Sequence, residues 1–209
     1  MFSLQTIFGK GDKFYGLLEA SADAARQSAR ALNAMLAERS REPALDEFRL
    51  ARRREKELLA QINLELVNTF VTALEREDIE ALAGALYKIP KTVEKFAERY
   101  AMFADRLDDA DYASRALMLE RACDVIVQMV GELRRGFKLE VLHDLNERMQ
   151  SIESEADRLL LELYRELFLD EKDVGRLMLR KDLFELLEKA IDKCRDAANV
   201  VYQIALKNS

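Results

Sequence analysis

The sequence holds one histidine, two cysteines, two prolines, seven glycines and no tryptophan in 209 residues. Each shortage excludes something. So little Gly and Pro leaves scant material for the tight turns of a β-sandwich or barrel. A Ser–His–Asp site would have to use His143, which stands near the start of a helix-patterned segment with no nucleophile motif beside it. Glu140 and His143 form one Glu-x-x-His pair. A four-helix di-iron site needs two such pairs and two more Glu, so one chain cannot build it. HExxH and CxxC zinc patterns are missing as well. Cys123 and Cys194 lie far apart in apolar-periodic segments. They read as free, buried and reduced, which points to a cytosolic chain. No run of ~18 apolar residues is present to span a membrane. The N-terminus lacks the basic and apolar regions of a signal peptide. The chain also lacks a basic surplus. Net charge is −6, with 33 basic and 39 acidic residues, and this disfavours nucleic acid as a partner. Most of the acidic excess lies in residues 109–209.

What is present is helical periodicity. Hydrophobic residues make up 49% and charged residues 34%, the mix of a folded chain with a sizeable core. Apolar side chains recur at helical spacing in six long segments. These run from about Asp12 to Ala37, Ala44 to Leu74, Arg76 to Arg106, Tyr112 to Arg135, Leu139 to Leu169 and Val174 to Lys207. Gly9-Lys10-Gly11, Arg39 to Pro43, Asp105 to Asp111 and Asp170 to Asp173 read as the breaks, and Gly136 as a helix stop. A weak repeat links the halves at an offset of 104 residues. Arg76-Glu77-Asp78-Ile79-Glu80-Ala81-Leu82 aligns with Arg180-Lys181-Asp182-Leu183-Phe184-Glu185-Leu186. The expected fold is all-α, with two pseudo-symmetric antiparallel three-helix bundles. Residues 1–108 make the first and 109–209 the second, together one domain. Pro90 falls inside the third helix and should kink it. Met102, Met118, Met129 and Met149 are expected in the core. The Arg49, Arg52, Arg53 and Arg54 cluster is expected to be a solvated face.

The remaining chemistry is carboxylate chemistry. Glu153 and Asp157 are four apart on the fifth helix. Glu188, Asp192 and Asp196 form a row at the same spacing on the sixth. Residues four apart share a helix face. The core stripe of the fifth helix runs through Leu145, Met149, Ile152, Ala156, Leu159 and Leu163, and that of the sixth through Leu183, Leu187, Ile191, Cys194, Ala198 and Val201. Both acidic rows sit one residue beyond their stripe. If the helices are neighbours, the rows converge into one acidic groove. Like charges at this spacing repel by ~0.2–0.5 kcal/mol per pair, and a cation would relieve that. Such oxygen donors suit Mg²⁺, Ca²⁺, Mn²⁺ or iron, and can also take Zn²⁺. Acid pairs at spacing four recur elsewhere, as in Glu94/Glu98 and Glu120/Asp124. The residues alone therefore leave two readings open, a metal site and a solvated acidic face.

Several blocks resemble the PhoU-like proteins encoded beside Pit-type phosphate transporters. They are Phe8-Gly9-Lys10, Asp12-Lys13-Phe14-Tyr15 with Leu17-Leu18-Glu19, Phe70 with Arg76-Glu77-Asp78-Ile79, and Ile152-Glu153 with Glu155-Ala156-Asp157. The most specific is Lys181-Asp182-Leu183-Phe184-Glu185-Leu186-Leu187-Glu188 with Ala190-Ile191-Asp192, Cys194 and Asp196-Ala197-Ala198-Asn199-Val200-Val201. The resemblance covers essentially the whole chain. It implies two three-helix bundles and an E(D)xxxD metal motif on the second and third helices of each. In the second bundle Glu153, Asp157, Glu188, Asp192 and Asp196 match, with iron, zinc or nickel as the implied metal. In the first, the 104-residue offset places Gly84, Lys88 and Thr92 where the acids should be, and a one-residue shift places Tyr87 and Lys91. On the second helix Glu55 survives, but Leu59 follows it. The first-bundle site is expected to be lost. The resemblance implies a cytoplasmic, non-enzymatic regulator of phosphate uptake that docks on a Pit-type transporter, at most peripheral to the membrane. Self-association is expected, since homo-oligomers are common. The alternatives are a metal-free oligomeric scaffold for a cytosolic partner and, less favoured, a metal-dependent phosphoester hydrolase.

Overall fold

The computed structural model describes residues 4–38, 43–107 and 112–208. Six α-helices occupy almost all of them: α1 (Leu4–Glu38), α2 (Asp46–Asn68), α3 (Arg76–Met102), α4 (Tyr112–Arg134), α5 (Leu139–Asp170) and α6 (Val174–Asn208). A short 3₁₀ turn, Ala104–Arg106, follows α3.

Helices α1, α2 and α3 pack on one another, as do α4, α5 and α6. The two bundles meet through α1 against α4 and α3 against α6, among the most extensive contacts of the fold. Under the pseudo-symmetry each seam is formed by equivalent helices. Ion pairs fix the directions. Arg99 near the end of α3 pairs with Asp182 near the start of α6, and Lys207 at the end of α6 pairs with Asp78 at the start of α3 (2.7 Å). Arg134 at the end of α4 meets Asp12 (2.7 Å) and Glu19 (2.8 Å) early in α1. Both seams are antiparallel. The α2–α3 and α5–α6 hairpin tips therefore point to opposite ends of the molecule, about 40 Å apart along a helix of α3's length.

One apolar core runs through both bundles. An aromatic knot pins them together. Tyr112 packs tilted on Phe184 at 4.5 Å and edge-on to Phe96 at 5.6 Å and Tyr100 at 5.9 Å. The Arg115 guanidinium lies over the Phe184 ring, 4.4 Å from its centroid. Each such buried ring contributes about 1.5–3 kcal/mol through burial.

Several sequence expectations need correction. Helix α1 begins at Leu4, so Gly9-Lys10-Gly11 is helical and not a turn. Extending a packed helix adds one hydrogen bond per residue, which offsets the ~1 kcal/mol cost of each glycine. Helix α2 ends at Asn68, short of Leu74. There the Arg76 guanidinium donates to the carbonyls of Leu66 and Thr69, satisfying the exposed end of the helix. Met102 is exposed, because it lies beyond Tyr100, the last buried residue of α3. Met118, Met129 and Met149 are buried as expected. The arginine cluster divides: Arg49, Arg53 and Arg54 are exposed, but Arg52 is buried.

Other expectations hold. Gly136 adopts φ 96° and stops α4, with the Phe137 N–H bonded back to the Glu132 carbonyl at 3.3 Å. Residues 171–173 form the α5–α6 turn, and Asp173 Oδ1 accepts from the N–H groups of Gly175 (2.8 Å) and Arg176 (3.2 Å). His143 is a half-exposed helix residue whose Nδ1 lies 3.2 Å from the Tyr202 hydroxyl. The expected breaks at 39–42 and 108–111 lie outside the described residues.

Candidate carboxylate site

Helices α5 and α6 pack as neighbours, because each presents its apolar stripe to the same core. This brings the flanking acids together. The Glu188 carboxyl is pushed up to about 7, first by burial, then by the charges of Asp192 and Asp157, a hydrogen bond with Asp192, and the charge of Glu153. Glu153 is raised too, by burial and by Asp157 and Asp192, against the opposing charge of Arg195. Four carboxylates on two helices thus sense one another. A proton on Glu188, favoured by burial and by its acidic neighbours, reduces the repulsion near neutral pH.

Asp196, one turn beyond Asp192 on α6, pairs with Lys193 at 2.7 Å. Arg195 Nη1 lies 3.2 Å from Glu153 Oε1 and offsets part of the cluster's charge. The sequence reading overlooked Arg195, although its position three residues beyond Asp192 places it on the same side of α6. Above the row, Glu185 accepts from Lys181 and from the Tyr164 hydroxyl, so it is spent on local bonds.

The donor chemistry of Glu153, Asp157, Glu188 and Asp192 suits a hard cation. Their placement is less ready: among the described residues, no group of three or more His, Cys, Asp or Glu side chains is disposed to hold a metal ion. A cation would have to displace the Glu188 proton and draw Glu153 away from Arg195.

The equivalent seam of the first bundle, between α2 and α3, is built on opposite lines. Arg52 stacks over the Tyr87 ring at 4.0 Å, donates to the Tyr87 hydroxyl and lies 3.5 Å from Glu94. Glu55 is fully buried; it accepts from Ser21 Oγ of α1, and its Oε2 has no partner. Burial pushes its carboxyl up to about 7 against that hydrogen bond and the charges of Arg52 and Arg54. Thr92, at the register of Asp196, hydrogen-bonds the Lys88 carbonyl at 2.9 Å. Lys88 and Lys91 are exposed on this face.

No known family profile matches the chain. In sequence it is 26% identical over 145 residues to UPF0111 protein YkaA of Bacillus subtilis strain 168, across 69% of this chain and 70% of that protein. In structure it superposes on a PhoU-like protein from Shewanella oneidensis MR-1 with a TM-score of 0.79. That match has 17% identity and covers 93% of this chain and 99% of the other. A second PhoU-like phosphate regulatory protein of that organism gives 0.78 at 18% identity, with the same coverage. PhoU from Pseudomonas aeruginosa gives 0.61 at 16% identity, covering 99% of this chain and 98% of that one. The six-helix fold of this chain is thus similar to that of these PhoU-like proteins.

Proposed function

We propose that this protein regulates phosphate uptake without catalysing a reaction, by docking on a phosphate transporter of the Pit type at the cytoplasmic face of the membrane. The observation that carries the reading is the fold, which matches PhoU-like phosphate regulatory proteins over 93% of the chain. No helix among the described residues is long and apolar enough to cross a membrane, so attachment would go through a partner or the surface. The hairpin tips offer apolar contacts for docking. Phe70 is 100% exposed beside Val67 and Val71 at the α2–α3 tip, and Phe168, Leu169, Val174 and Met178 are exposed around the α5–α6 tip. The test is transporter capture from membranes at low and high phosphate. Capture should be enriched over control and fall in Phe70→Asp and Phe168→Asp. Equal recovery with and without the protein overturns the reading.

The same proposal assigns Glu153, Asp157, Glu188 and Asp192 as the ligands of a divalent or iron-type ion (Fe, Zn or Ni), with Asp196 at the rim. The burial of Glu188 beside the charges of Asp192, Asp157 and Glu153 supports this. A metal-free scaffold is the second reading. The Arg195–Glu153 pair and the lack of a ready ligand group favour it. Metal analysis of the purified wild type beside Glu188→Gln/Asp192→Asn separates the two.

A further inference from the structure

Cys123 of α4 and Cys194 of α6 are 71 residues apart in sequence, and both are fully buried. Helix packing sets their sulfurs 3.7 Å apart. A disulfide needs about 2.05 Å between sulfurs, so each has to travel roughly 1 Å or less. Both occur on the core-facing stripes of helices that pack directly on each other.

We propose that Cys123 and Cys194 are a dithiol pair that a small peroxide converts to an intramolecular disulfide linking α4 to α6. In the first step one sulfur attacks a peroxide oxygen and breaks the O–O bond, giving a sulfenic acid and water. In the second step the other sulfur attacks the sulfenic sulfur, forms the S–S bond and releases a second water. Two thiols and one peroxide thus give one disulfide and two waters. The sulfurs are oxidised and the peroxide oxygens reduced. Full burial keeps peroxide away from both sulfurs, so the reaction runs through local opening of the α4–α6 contact and is slow. Once formed, the bond ties together two helices that each serve a different inter-bundle seam, α4 on α1 and α6 on α3. It also fixes α6 two residues from Asp192 and two from Asp196.

Intact-mass measurement of the full chain after incubation with hydrogen peroxide is the test. The expected wild-type product is a monomer that has lost two hydrogens, with no thiol titratable in denaturant. Dithiothreitol restores both, and the oxidised form melts several degrees higher because its unfolded state is cross-linked. Low urea should speed the reaction by favouring the opening. Cys123→Ala and Cys194→Ala should each abolish the two-hydrogen loss. Because the principal readout is on the wild type, a variant that folds poorly leaves the test intact. Two persistent thiols, mass gained as oxygen without a disulfide, or linkage only between chains would overturn the proposal.

Discussion

The α5–α6 seam gathers acids among which burial and like charge raise Glu153 and Glu188, whereas the α2–α3 seam buries an arginine against a tyrosine and a glutamate. The helices, their order and their packing are equivalent in the two bundles. What differs is the charge beside the apolar stripe. The seam of the second bundle keeps an excess of one sign, which Arg195 offsets in part. The first bundle has satisfied much of its charge internally. Each bundle thus raises one carboxyl to about 7, Glu55 by burial against neighbouring cations and Glu188 by burial together with acidic neighbours.

The seams between bundles belong to both regions, and cutting them should have the largest effect. Phe184→Ala removes the ring on which Tyr112 packs and should cost about 3–5 kcal/mol, read as a drop in the urea midpoint. Arg52→Ala should come next, at about 3 kcal/mol. It strips the packing from Tyr87 and removes the Arg52 charge from beside Glu94 and the buried Glu55. Arg195→Ala, at a half-exposed pair on the other seam, should cost under about 1 kcal/mol in the same assay. Equal losses at the two arginines would break the comparison.

The pH dependence sharpens it. Glu55 and Glu188 both bind a proton more tightly folded than unfolded. The folded state then holds more protons across the window from about 4.5 to about 7, so stability falls as pH rises through that window. Replacing either group with Gln removes the loss. Glu55→Gln should be more stabilising at pH 8 than at pH 4 by about 1–2 kcal/mol, given its full burial. Glu188→Gln should shift the same way by a smaller amount, since it is partly exposed. Denaturant midpoints across pH check both, and a shift of opposite sign at either residue contradicts the electrostatic account.

The fold was legible because apolar periodicity marks buried faces directly, and five of the six helix starts fall within about two residues of their expected positions. The start of α1 and the end of α2 were not legible. The first depends on helix propagation through two glycines, and the second on Arg76 reaching back to carbonyls in another element. At the site, spacing and stripe together told which acids converge. They could not tell that Arg195 and Lys193 would claim Glu153 and Asp196, because long flexible cations choose partners only once the helices are packed. Arg52 shows the same limit: read as solvated within an arginine run, it is buried by a tyrosine from the neighbouring helix. The Cys123–Cys194 contact was likewise beyond the reach of sequence spacing.

The most direct measurement is calorimetric titration of divalent cations, beginning with Zn²⁺ and Ni²⁺, into the wild type and Glu188→Gln/Asp192→Asn at pH 6 and pH 8. The account predicts one saturable site per chain, tighter at pH 8 where the Glu188 proton has left, and abolished in the variant. Heat that is identical in wild type and variant, or no binding at either pH, would contradict it and leave the second bundle as an acidic face held by protons and Arg195.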